Sequence, residues 1–141
     1  MAITHTYTLT LADQDKATLR TAAYGAVSLM AAAGTAGSPH RIATRGSIAL
    51  TSATGQVGYV LAEKSKIEGL NGRSVAELAD QVLPALTATM RLLGRQDPAE
   101  ADNFRTTVTL AVEESVRAVK GEPGPVMTEM IRKITGALDA A

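Results

Sequence analysis

The sequence predicts an all-α, mostly antiparallel bundle of about five helices with an extended N-terminal arm. Three observations carry that expectation. Apolar residues recur at the three-to-four-residue spacing of a helix face through most of the chain, with little of the alternation that marks strands. Start and stop signals divide the chain into five helix-length segments on short connections, and consecutive helices joined that way pack antiparallel. Hydrophobic residues make up 45% of the chain but aromatics only 3%, so the core has to be aliphatic and Ala-rich. Ala, Leu, Glu, Gln and Arg are also good helix formers.

The arm covers residues 1–12. Ile3, His5, Tyr7, Leu9 and Leu11 alternate with threonines, a period-2 pattern of extended backbone. No convincing partner strand follows, so the arm is expected to lie over the bundle or to pair with the same arm of a second subunit.

The first helix is expected over 13–33. Thr10 and Asp13 stand at capping-box-like spacing, Asp13 and Asp15 place negative charge at the positive end of the helix dipole, and Gly34 is a natural stop. From Leu19 to Gly34 (LRTAAYGAVSLMAAAG) the helix consists mainly of Ala, Gly and Ser, and no charge follows Arg20 until Arg41. A helix that is small and apolar nearly all round belongs inside the bundle, so the rest of the chain should be organised around this one.

A second helix is expected over 39–64. Ser38 and Pro39 read as N-cap and first helical residue. Ile42, Gly46, Ala49, Leu50, Ala53, Val57, Val60 and Leu61 then hold one face, with Gly55 marking the place where the helix would break. Residues 64–73, with Gly69 and the Asn71-Gly72 dipeptide, read as a loop. Ser74 and Glu77 form a capping-box pattern ahead of a third helix over 75–93, whose stripe is Val75, Leu78, Val82, Leu86, Met90 and Leu93. Pro84 within it is expected to kink the axis. Asp97-Pro98-Ala99-Glu100 starts a fourth helix over 98–120, with Phe104, Val108, Ala111, Val112, Ser115 and Val119 on one face. The turn Gly121–Pro125 leads into a fifth over 125–139, whose Met127, Met130, Ile131, Ile134 and Leu138 read as core rather than as an adaptable binding surface.

An internal echo runs at an offset of 21, with Arg20, Gly25, Leu29 and Gly34 repeated as Arg41, Gly46, Leu50 and Gly55. Gly25 and Gly46 fall mid-helix, where glycine costs about 1 kcal/mol relative to alanine. Close approach of a neighbouring backbone would offset that cost. Helices one and two are therefore expected to cross near these glycines, within a subunit or across a dimer.

Composition narrows the function classes. There are no cysteines, which excludes disulfides, thiolate metal sites and cysteine nucleophiles. Lys+Arg and Asp+Glu are both 14, a formal net charge of zero, so the basic excess of extended nucleic-acid binders is missing. Only a small local basic patch could contact DNA. The 141 residues fit one domain, 1–141. No basic region followed by an apolar run opens the chain, and no stretch is apolar enough to span a bilayer, so a cytoplasmic protein is expected.

His40, Arg41 and Arg45 form the most suggestive cluster, in the first two turns of the second helix. Free N–H groups and the positive dipole end favour an anion there. Arg41 and Arg45, four residues apart, share a side. Two readings follow: a site for a phosphate or carboxylate ligand with His40 as its only general acid/base, or a solvated turn with a surface ion pair. His5 and His40 are the only histidines, and neither stands at metal-ligand spacing, so no metal and no cofactor are expected. Asp13 and Asp15 read as helix-start residues, and Glu113 and Glu114 as an exposed face. Tyr24 and Tyr59 read as core packing rather than pocket lining. The phosphate-binding and dinucleotide glycine motifs, the G-x-S-x-G elbow and the Glu-x-x-His pair of di-iron bundles are all missing.

The leading expectation is a non-enzymatic interaction protein that self-associates as a homodimer through the small-residue faces of helices one and two. The alternative is a protein or enzyme that binds a small anionic ligand at His40, Arg41 and Arg45.

Overall fold

The helix signals of the sequence are answered in turn by hydrogen bonds in the computed structural model, which describes residues 10–34, 38–63, 70 and 74–141. The described residues form six helices: α1 (Asp13–Ala33), α2 (Pro39–Thr51), α3 (Gly55–Ala62), α4 (Val75–Gln96), α5 (Pro98–Arg117) and α6 (Pro125–Asp139). No strand occurs among the described residues. Most of the expected arm, residues 1–9, and most of the expected loop, 64–69 and 71–73, lie outside them.

Ser38 Oγ accepts from the Arg41 N–H at 3.4 Å with Pro39 in the first helical position. Ser74 and Glu77 close a reciprocal capping box at 3.0 and 3.1 Å. Asp97 Oδ1 accepts from the Ala99 N–H at 3.1 Å ahead of α5. The start of α1 differs from expectation. Asp15 accepts from the Ala12 N–H at 3.3 Å, so the acid of the first turn caps the helix instead of a Thr10–Asp13 pair. Thr10 exchanges two bonds with Gln96 of α4, donating its N–H at 2.8 Å and accepting through its carbonyl at 3.1 Å. α4 runs unbroken through Pro84, whose ring is exposed, and continues to Gln96 rather than stopping at Leu93. α5 ends at Arg117, short of the expected residue 120.

The main correction is that six helices stand where five were expected, because the segment 39–64 breaks after Thr51. The Ser52 and Ala53 N–H groups fold back onto the Ala49 and Leu50 carbonyls, each at 3.2 Å. Gly55 then adopts φ +72°, a conformation that side chains resist. A Cβ on Gly58 would lie 2.2 Å from the Ala53 carbonyl oxygen, so the turn closes too tightly for any other residue. The apolar stripe survives the break: Ile42, Ala49 and Leu50 of α2 and Val57, Val60 and Leu61 of α3 are all buried. The periodicity reads as one helix because two helices continue a single face.

α1 packs against all five of the others. Leu19, Ala22, Ala23, Ala26, Leu29 and Met30 have no exposed surface. Its small residues set the spacing. A Cβ on Gly25 would stand 2.4 Å from Val82 Cγ2 of α4, and one on Gly46 would stand 2.8 Å from both Val27 Cγ1 of α1 and Ser115 Oγ of α5. Gly46 thus lies where α2 meets α1, whereas Gly25 faces α4 and not the second helix. The same contacts fix direction. Along α1 the chain meets Gln96 at Thr10 and Val82 at Gly25, so α1 and α4 run in opposite senses. Met127, Met130, Ile134 and Leu138 of α6 are buried beside them.

Gly25→Leu is expected to destabilise the fold by about 1–3 kcal/mol or more through overpacking, net of the helix propensity gained. Urea unfolding measures it, and a Val82→Ala background should recover part of the loss because the two sites touch.

Candidate functional site

α3 has eight residues, too few to be stable alone, and charged groups from two other helices hold its ends. At the C-terminal end, where carbonyls lack a following turn, Arg20 of α1 donates from Nε to the Val60 carbonyl at 3.2 Å and from Nη2 to Glu63 Oε1 at 3.0 Å. Tyr24, one turn on, donates its hydroxyl to the Leu61 carbonyl at 3.0 Å. Arg20 is 8% exposed. A buried guanidinium needs matched donors, and here Nε and Nη2 find acceptors at the negative end of a helix dipole.

At the N-terminal end Thr54 caps with no side-chain bond, and the cap comes from α5 instead. Glu100 Oε1 accepts from the Val57 N–H at 3.0 Å and from Asn103 Nδ2 at 3.3 Å, while Asn103 Nδ2 also donates to the Thr54 carbonyl at 2.8 Å. A Cβ on Gly55 would sit 2.7 Å from Glu100 Oε2. Sequence reasoning missed both clamps. A lone arginine on the buried side of an apolar helix was the available signal for Arg20. Nothing local marks Glu100, which reads as an ordinary first-turn acid.

With α3 so held, α2 turns one face outward. His40, Ala43, Thr44, Ser47, Ile48 and Thr51 line an open, mainly apolar groove of about 380 Å³, and Ile48 is 62% exposed. Leu11, Lys16, Gln56, Tyr59, Val60 and Glu63 line a smaller hollow of about 250 Å³ between the start of α1 and α3. Tyr59 is 73% exposed, which corrects the expectation of a core residue. Its neighbours Val57, Gly58 and Val60 take the buried positions. Tyr24 is half-buried and hydrogen-bonded.

The three residues of the expected anion site are all exposed. His40 lines the α2 groove. Arg45 donates to Glu114 Oε1 of α5 at 3.4 Å, and Arg117 reaches Glu114 Oε2 at 3.2 Å. Arg41 has no ion-pair partner among the described residues. Among them, too, no three His, Cys, Asp or Glu side chains gather where a metal could be held, and no helix is long and apolar enough to cross a membrane. His5 lies outside the described residues. Compared with known proteins, the chain matches no family model, no curated protein and no solved structure.

Two outcomes test the clamps. Glu100→Ala leaves the Val57 N–H without its acceptor and should cost about 1–2 kcal/mol, with amide exchange accelerating first in α3. Burial raises the Tyr24 phenol above its ordinary 10.0, with the Arg20 charge pulling the other way. Since the folded state favours the protonated phenol, its contribution is fully present below pH 10.0 and is lost as pH rises through the higher folded value. Stability measured across that alkaline range should fall, and Tyr24→Phe should flatten the fall.

Proposed function

We propose that the chain is a non-enzymatic interaction protein, an antiparallel bundle that pairs with a second copy of itself through the outward face of α2. The observation that carries this reading is the exposed Ile48 set in the groove of His40, Ala43, Thr44, Ser47 and Thr51. Covering Ile48 would remove an exposed aliphatic side chain from water, which favours pairing. None of the groove residues carries a carboxylate, lysine or arginine. The groove residues themselves therefore add no such charge to a paired face. Arg45, beside the groove, is already answered by Glu114.

The dimer surface differs from the one read from sequence, because α1 uses its small residues inside the subunit: Ala22, Ala23 and Ala26 are fully buried. Of the two helices, α2 is the one that keeps a large aliphatic side chain, Ile48, exposed among the described residues. α2 has 13 residues, about 20 Å of helix, and a stable interface takes about 800 Å² from each partner. The pairing is therefore expected to be reversible and concentration-dependent.

The second reading, a small-anion site at His40, Arg41 and Arg45 with His40 as acid/base, has less support because Glu114 already occupies Arg45.

Native mass spectrometry and sedimentation equilibrium across a concentration series test the proposal. The unaltered chain should populate a dimer, and Ile48→Glu should weaken it by about ten-fold or more without lowering the melting temperature. A chain that stays monomeric at the highest concentrations, or a dimer indifferent to Ile48→Glu, overturns it.

A further inference from the structure

A third concavity, of about 360 Å³, opens where the last turns of α4 meet the first turns of α5. Met90, Arg91, Gly94 and Arg95 line it from α4, Ala101 and Arg105 from α5, and Ala141 beyond the end of α6. Five of the eight described arginines sit with a carboxylate: Arg20 with Glu63, Arg45 and Arg117 with Glu114, Arg105 with Asp139, and Arg132 with Glu129. Arg41, Arg91 and Arg95 do not, among the described residues, and two of those three share this cleft.

Arg91 and Arg95 stand four residues apart on one helix face, where like charges repel and destabilise the helix. Arg105 adds a third guanidinium whose direction is set, since it bonds Asp139 and donates to the Leu138 carbonyl at 3.1 Å at the end of α6. Met90 and Ala101 are buried and give the cleft an apolar floor. A Cβ on Gly94 would meet nothing within 4 Å, so the space above it is open. The combination is a positive rim over an apolar base, of a size at the lower end of small-molecule sites, about 300–1,000 Å³.

We propose that this cleft binds a small organic oxyanion, a phosphate monoester or a carboxylate on an apolar body, with Arg91 and Arg95 gripping the oxygens and Met90 and Ala101 meeting the body. The guanidinium fork matches both oxyanions through paired, charge-assisted hydrogen bonds. The site is independent of the α2 groove and of the pairing proposed there.

Calorimetric titration of the full chain with phenyl phosphate, benzoate and inorganic phosphate tests it. One phenyl phosphate or benzoate should bind per chain, more tightly than inorganic phosphate because of the apolar floor, and the tighter of the two names the headgroup. The Arg91→Ala/Arg95→Ala variant should bind about ten-fold more weakly or worse. Both arginines are exposed and repel each other, so its melting temperature should not fall, and Arg41→Ala should bind as the parent does. Equal affinity for inorganic and phenyl phosphate, or binding untouched by the double substitution, overturns the proposal. So does tighter, steeply salt-dependent binding of a short single-stranded oligonucleotide through the same arginines, which would assign the cleft to nucleic acid instead.

Discussion

Close approach to α1 is the constraint on which the other helices depend. A helix touched by five neighbours must let several of them come close at once, and α1 does so with alanine and glycine set between the buried Leu19, Val27, Leu29 and Met30. Where Gly25 meets Val82 and where Val27 meets Gly46, a missing Cβ on one helix makes room for a branched side chain on the other. Interiors pack at the density of organic crystals, so such pairs of hole and branched side chain set the distances between helices. The near absence of aromatics follows from the same geometry. Phe104, fully buried on α5, is the one phenylalanine of the chain, and the remaining volume is filled with Leu, Ile, Val, Met and Ala.

The second organising interaction is electrostatic and concerns α3. Glu100 stands at its positive end and Arg20 at its negative end, each supplying hydrogen bonds that the short helix cannot make for itself. Both residues complement the dipole; Arg20 belongs to α1 itself, and Glu100 to α5, which packs against α1. α3 is thus held by α1 and α5. Its placement leaves the outer face of α2 open and exposes Tyr59, while burying Val57, Val60 and Leu61 against the core. The surface assigned to pairing depends on a helix that would not form alone.

Much of the fold was legible in the sequence because caps and stops are local chemistry. Ser38–Pro39, Ser74 with Glu77, and Asp97–Pro98 each act on N–H groups two or three residues away, and no distant residue is needed to predict them. The central place of α1 was legible too, since a helix without a polar face has only an interior to go to. The candidate site was legible only in part. His40 was singled out for an anion site, and the structure places it on the lining of the α2 groove. Ile48, its most exposed aliphatic, was not singled out, because an exposed and a buried isoleucine look alike in sequence.

What the sequence alone determined, then, was the helical class, where most helices begin, and which helix is enclosed. All of these follow from backbone hydrogen bonding and from the apolar period along one segment. What only the tertiary structure decided was the break between α2 and α3, the partner of each glycine, and the grouping of Arg91 and Arg95 with Arg105. The physical reason is the same in each case. A stripe of buried residues continues across a turn when both helices face one core, and a hole left by glycine is filled by whichever helix packs there. Likewise, charges far apart along the chain meet only after α4, α5 and α6 have docked. Those outcomes belong to contacts between elements, and no local pattern encodes them.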